Sequence, residues 1–105
     1  DMLATRFLRS GGRAIVSGNA AAFPEVVTSV VDAVLHGRDA DADRSMDQLE
    51  LIVELGRWGA PDRLRELLTL RGIEIGPSRL ATFVPSEIPE IQATLLRDLL
   101  EQLGD

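Results

Sequence analysis

The chain has 105 residues, 45% hydrophobic and 27% charged, the balance of one soluble globular domain able to bury roughly two thirds of its unfolded surface. Seventeen acids outweigh eleven bases, all of them arginine, for a formal charge of −6; an acidic chain with scattered arginines repels a phosphate backbone, which argues against nucleic-acid binding. The absence of cysteine excludes disulfides and thiolate metal sites, and the absence of lysine excludes a side-chain amine nucleophile from this chain.

The first element is "MLATRFLRS", Met2 to Ser10, with apolar residues at 3, 4, 7 and 8, the spacing of a short amphipathic helix that Gly11-Gly12 stops. "RAIVS" follows, too short for a helix and apolar without alternation, which predicts a strand over Ala14–Ser17 buried on both faces. After a Ser17-Gly18-Asn19 turn, Pro24 suits the first position of a helix and Glu25 favours its positive end; that helix ends at Gly37. "RDADAD" offers Asp39 or Asp41 as an N-cap for a helix over about 41 to 58, in which Gly56 marks either an early end or a close packing contact. Another helix starts at Pro61 and stops at Gly72. A loop of about a dozen residues, "IEIGPSRLATFVP", then lies extended over a surface. Ser86 caps the last helix, with Pro89 in its first turn and Ile88, Ile91, Leu95, Leu99 and Leu103 as its stripe, widened by Leu96 and Leu100.

A lone interior strand is not a stable element, because backbone amides buried without partners cost about 1–3 kcal/mol each. "GIEI" and "LATFV" are the only other extended candidates, and neither follows a hairpin turn from "RAIVS". Helix, doubly buried strand, helix is the unit of an α/β barrel or doubly wound sheet, so the sheet partners are expected outside this sequence. In such folds ligands sit at the carboxyl ends of strands, which places Ser17, Gly18 and Asn19 at the mouth of a site. The alternative is a small helical domain in which "RAIVS" is a buried connector.

These residues carry a family resemblance. "SGGRAIVSGNAAAFPE" resembles the last strand and following loop of the dihydrodipicolinate synthase / N-acetylneuraminate lyase family. "VVDAVLHGRDADADRSMDQL" is similar to the start of that family's C-terminal helical extension, and "GAPDRLRELLTLRGIEIGPSR" to its next helix and loop. The resemblance covers nearly the whole chain through the order and spacing of individually weak motifs. It departs from the family at Ala14, where glycine is usual, at Ala21, where asparagine is frequent, and in "GAPDRL" and "SRLATFVP".

The resemblance implies an α/β protein, the C-terminal segment of a (β/α)8 TIM barrel: residues 1–37 as the last βα unit with its preceding helix, and 38–105 as a C-terminal helical extension. It implies a class I aldolase or lyase that makes or breaks carbon–carbon bonds at a 2-oxo acid such as pyruvate through a Schiff base, with no cofactor. The imine-forming lysine and proton-shuttling tyrosine of that family have no counterpart here, so no catalytic residue is expected on this chain. Val16 matches an aliphatic residue packed against bound pyruvate, or equally an ordinary core valine. Ser17 and Gly18 lie where sugar-acid lyases place a hydroxyl-bearing contact, Asn19 reaches a substrate hydroxyl or simply forms the turn, and Asp1 matches an acidic position after the preceding strand that contacts substrate in some members. The expected partners are the remainder of the barrel, the 2-oxo acid and further copies in a homo-oligomer, with neither nucleic acid nor membrane.

No run approaches the roughly 20 apolar residues that span a bilayer and no secretory signal pattern stands out, so a cytoplasmic setting is expected. A first residue of Asp rather than Met fits processing or a piece of something longer. His36, the only histidine, reads as a surface residue near a helix C-terminus. Trp58 reads as packing at a helix end. Asp39, Asp41 and Asp43 alternate like a metal loop but lack the glycine and terminal glutamate of a calcium-binding hand, so capping explains them better. Glu87, Glu90, Glu101 and Asp105 read as solvated charges. A function of another class, a helical interaction module using an exposed Leu/Ile stripe, is the competing expectation.

Overall fold

The computed structural model describes residues 1–57, 62–76 and 87–104. Its helices are α1 (Ala4–Arg9), α2 (Pro24–Leu35), α3 (Asp39–Gly56), α4 (Asp62–Leu70) and α5 (Glu90–Gln102), with a 3₁₀ turn at Gly18–Ala21. The chain divides into two compact units, Asp1–Val53 and Glu54–Asp105, so that the last turn of α3 belongs to the second. No strand occurs among the described residues, and the protein is mostly α.

Three helices end in the same way. Gly11, Gly37 and Gly72 adopt φ of +107°, +69° and +84°, the left-handed region that side chains avoid. The amide after each glycine then reaches back five residues to an orphan carbonyl. Gly12 donates to Phe7 at 3.1 Å, Arg38 to Ala33 at 2.8 Å and Ile73 to Leu68 at 2.9 Å. These are the stops that the glycines predict. At Gly12 there is a further constraint, because a Cβ built there would lie 2.2 Å from the Phe7 ring.

In the first unit, Pro24 and Glu25 open α2, which packs against α1 and against the 3₁₀ turn. Its buried face is Val26, Val27, Val30 and Ala33, spaced one and two turns apart, and Phe23 just before it is fully buried. Ala4, Leu8, Ala42, Leu49 and Ile52 complete the buried apolar set of this unit. Arg9 joins the end of α1 to the start of α3 through Asp39 at 3.4 Å and Asp43 at 4.0 Å.

The second unit buries Leu55, Leu67, Leu96 and Leu99. It also buries a charge: Arg63 is only 4% exposed at its side chain. Its Nε donates to the Leu55 carbonyl at 3.1 Å, one of the orphan acceptors at the end of α3, and its Nη1 donates to Glu66 at 2.8 Å.

Several expectations change here. Residues 12–17 form no ladder, so the strand predicted over Ala14–Ser17 is corrected to an irregular segment. The physical reason is the one anticipated: a strand needs a partner, and the described chain supplies none. The segment is also not buried on both faces; Ala14 is exposed, Ile15 half-buried and Val16 wholly exposed. Asp39 and Asp41 both fall inside the first turn of α3, acting on the helix dipole rather than as caps. Helix α3 ends at Gly56, before Trp58, which lies outside the described residues with Pro61, residues 77–86 and Asp105. Pro89 stands at the N-cap of α5 rather than inside it. The buried side of α5 departs from the expected stripe: Leu96 and Leu99 are buried, while Ile91 and Leu95 are 73% and 50% exposed.

Phe23→Ala should lower the unfolding free energy by about 3–5 kcal/mol, read from the urea midpoint, since it empties the centre of the first unit. Arg63→Ala should cost about 1–3 kcal/mol for the lost buried hydrogen bonds. Arg63→Lys should not restore it, because an ammonium lacks the planar fork that serves two acceptors.

Candidate functional site

Four of the five residues singled out in the sequence converge at one end of the first unit. The Asp1 carboxylate accepts two hydrogen bonds on Oδ2, from Ser17 Oγ and Asn19 Nδ2, each at 2.5 Å. Local structure arranges this meeting. The Ala4 amide donates to the Asp1 carbonyl at 3.0 Å, which ties Asp1 to the entry of α1. Ser17 is extended, with φ −134° and ψ 126°, and hands the chain to the 3₁₀ turn. Within that turn the Asn19 carbonyl accepts from Ala22 at 3.2 Å and from Phe23 at 2.9 Å, so buried Phe23 anchors the turn that carries the asparagine.

Gly18 stands between the two donors, and a Cβ built there meets nothing within 4 Å. The space in front of its backbone is open to an approaching group.

A cleft of about 330 Å³ adjoins this cluster, lined by Asp1, Leu3, Ala4, Phe7, Ala14, Ile15 and Val16. One carboxylate closes it; the rest is apolar. Val16, the fifth residue, stands on its rim with its side chain fully exposed, so it is not a core valine here. In the sequence Leu3 and Phe7 carry only the spacing of a helix face. The signal for Phe7 was Gly12, which leaves room for the ring to lie over the turn.

Several other charged groups are engaged in pairs elsewhere. Asp39 and Asp43 pair with Arg9, and Asp41 pairs with Arg38 at 3.7 Å and Arg44 at 3.1 Å. Among the described residues no cluster of three or more histidine, cysteine or acidic side chains is arranged to hold a metal ion. His36 caps α2, its Nδ1 lying 2.8 Å from the Asp32 carbonyl and 3.1 Å from the Asp32 carboxylate. Arg38 also bonds to Asp32, making a polar cleft of about 270 Å³ with Ser29 and Ser45 in which the charges neutralise one another. No helix among the described residues is long and apolar enough to cross a membrane.

Chemically, a carboxylate held by a hydroxyl and an amide beside an apolar cleft can accept from a hydroxyl or amine of a ligand. Among the described residues it offers no general base paired to a nucleophile, and no cationic side chain lines the cleft. Comparison with protein-family models, with curated proteins and with solved structures finds no match for this chain.

Replacing Asp1 by Ala removes the acceptor shared by Ser17 and Asn19. Amide hydrogen exchange at Ala20, Ala22 and Phe23 should then speed up while the amides of α3 keep their protection; unchanged exchange in the turn would mean that the carboxylate does not hold it.

Proposed function

We propose that this chain supplies one wall of the active site of a Schiff-base aldolase or lyase of (β/α)8 architecture, acting at a 2-oxo acid such as pyruvate. The observation that carries the reading is the state of Arg13 to Ser17. Ile15 is half-buried, Val16 is entirely bare, and no backbone hydrogen bond involves Arg13, Ala14, Ile15 or Val16 among the described residues. A strand covered by helices on one face and lacking its sheet has these properties. Its carboxyl end carries Ser17, Gly18 and Asn19, where barrel enzymes bind their ligands, and Asp1 joins them.

On this reading Val16 packs against the carbon skeleton of the bound 2-oxo acid, while Ser17, Asn19 and Asp1 meet a substrate hydroxyl across the open space at Gly18. The lysine amine condenses with the 2-oxo carbonyl and expels water; that lysine and the remaining strands come from polypeptide beyond these residues. The setting is cytoplasmic, and the helical extension of 38–105 contributes to a homo-oligomer.

The test is chemical. Expressed from its complete reading frame and treated with pyruvate and borohydride, the protein should gain on one lysine the mass of pyruvic acid less one oxygen. A complete reading frame without a lysine-bearing strand upstream of Asp1, or no adduct with pyruvate or any other 2-oxo acid, would sink the proposal.

A second reading, a helical interaction module, is favoured by the exposed Ile91 and Leu95 one turn apart on α5. It requires a partner whose binding is lost on Ile91→Asp with α5 intact.

A further inference from the structure

We propose that two copies of this 105-residue chain pair through Arg13–Val16 as antiparallel strands about a two-fold axis at Ile15. The proposal goes beyond the enzyme reading, because barrel strands flanking the segment would take the same backbone groups and so compete with the second copy.

The first argument is hydrogen-bond chemistry. Arg13, Ala14, Ile15 and Val16 engage none of their backbone N–H or C=O groups with the described residues, and Ser17, next along, is already extended. An exposed run of this kind is a template for another strand.

The second argument is charge complementarity. With the axis at Ile15, Arg13 stands opposite the partner's Ser17, and directly opposed residues share a face of the ladder with Cβ atoms about 5 Å apart. Ser17 holds the Asp1 carboxylate at 2.5 Å, so the cation of one copy meets the carboxylate of the other, and symmetry makes the contact twice. Arg13 has no ion-pair partner among the described residues, and Asp1 Oδ1 accepts no hydrogen bond there. On the other face, fully exposed Val16 lies against the partner's small Ala14.

Register and direction follow from the same groups. A parallel pairing sets Arg13 beside the partner's Arg13, like charge against like. Sliding the antiparallel pair by two residues one way puts Arg13 against the partner's Ile15 and leaves both carboxylates unmet; sliding it the other way puts Arg13 against the partner's Asn19, which lies in the 3₁₀ turn rather than in extended chain. Leu3 and Phe7, 67% and 52% exposed along the same cleft, widen the contact.

The test uses the 105-residue chain itself. Light scattering at about 100 μM should give the dimer mass, falling to the monomer on dilution, as expected for a small interface. Hydrogen exchange should show protection at Arg13–Ser17 that is lost on dilution. Arg13→Asp and Asp1→Arg, each confirmed as folded by circular dichroism, should separately raise Kd at least about tenfold. Mixing those two variants should restore pairing, since every facing pair is then again of opposite charge. A monomer at the starting concentration, a dimer indifferent to both substitutions, or protection confined to other residues overturns the proposal. None of these outcomes bears on the borohydride test.

Discussion

Backbone amide and carbonyl groups must be paired by protein or by water, and at Arg13 to Val16 this chain supplies no pairing among its described residues. That constraint shapes the rest of the first unit. Helix α1 and its glycine stop deliver the segment to the surface, and the 3₁₀ turn collects it there and passes it to α2. Exposed to solvent, the backbone groups of this segment are met by water, and a neighbour covering Val16 would have to replace that water with hydrogen-bonding groups of its own. The site at the end of the segment inherits the requirement, because Ser17 and Asn19 are positioned by the same stretch of chain.

The two units solve different problems of polarity. The first buries an almost wholly apolar set around Phe23, Val30, Leu49 and Ile52, and keeps its charges in exposed pairs at the ends of α1, α2 and α3. Exposed pairs of this kind contribute at most about 1 kcal/mol each, so they orient helix ends more than they stabilise them. Among its described residues the second unit has fewer fully buried apolar side chains, and it takes a guanidinium inside, where it bonds to the end of α3. A buried arginine that satisfies a backbone carbonyl and a carboxylate together fixes geometry in a way that a leucine could not.

The polar cluster at Asp1 shows how far residue types can be read before their meeting is seen. Serine, glycine and asparagine after an apolar run suggest a ligand-facing turn on chemistry alone. Asp1, sixteen residues before Ser17, entered only through a family resemblance, and the same resemblance cannot say that one carboxylate oxygen accepts from both donors. The cleft beside it was not legible, because Leu3 and Phe7 carry the same helical spacing whether a helix face is covered or open.

What the sequence determined by itself is the punctuation: the stops at Gly11, Gly37 and Gly72 and the start at Pro24, whereas Gly56 was legible only as an end or a packing contact. These are matters of local sterics, in which a glycine relieves a left-handed turn and a proline fixes its own φ, and no distant residue can change them. Tertiary structure alone decided which leucines of α5 are buried, that Arg63 turns inward, and that Asp1 reaches Ser17 and Asn19. It also decided that "RAIVS" is not a strand here, since a ladder belongs to two segments at once and periodicity describes only one.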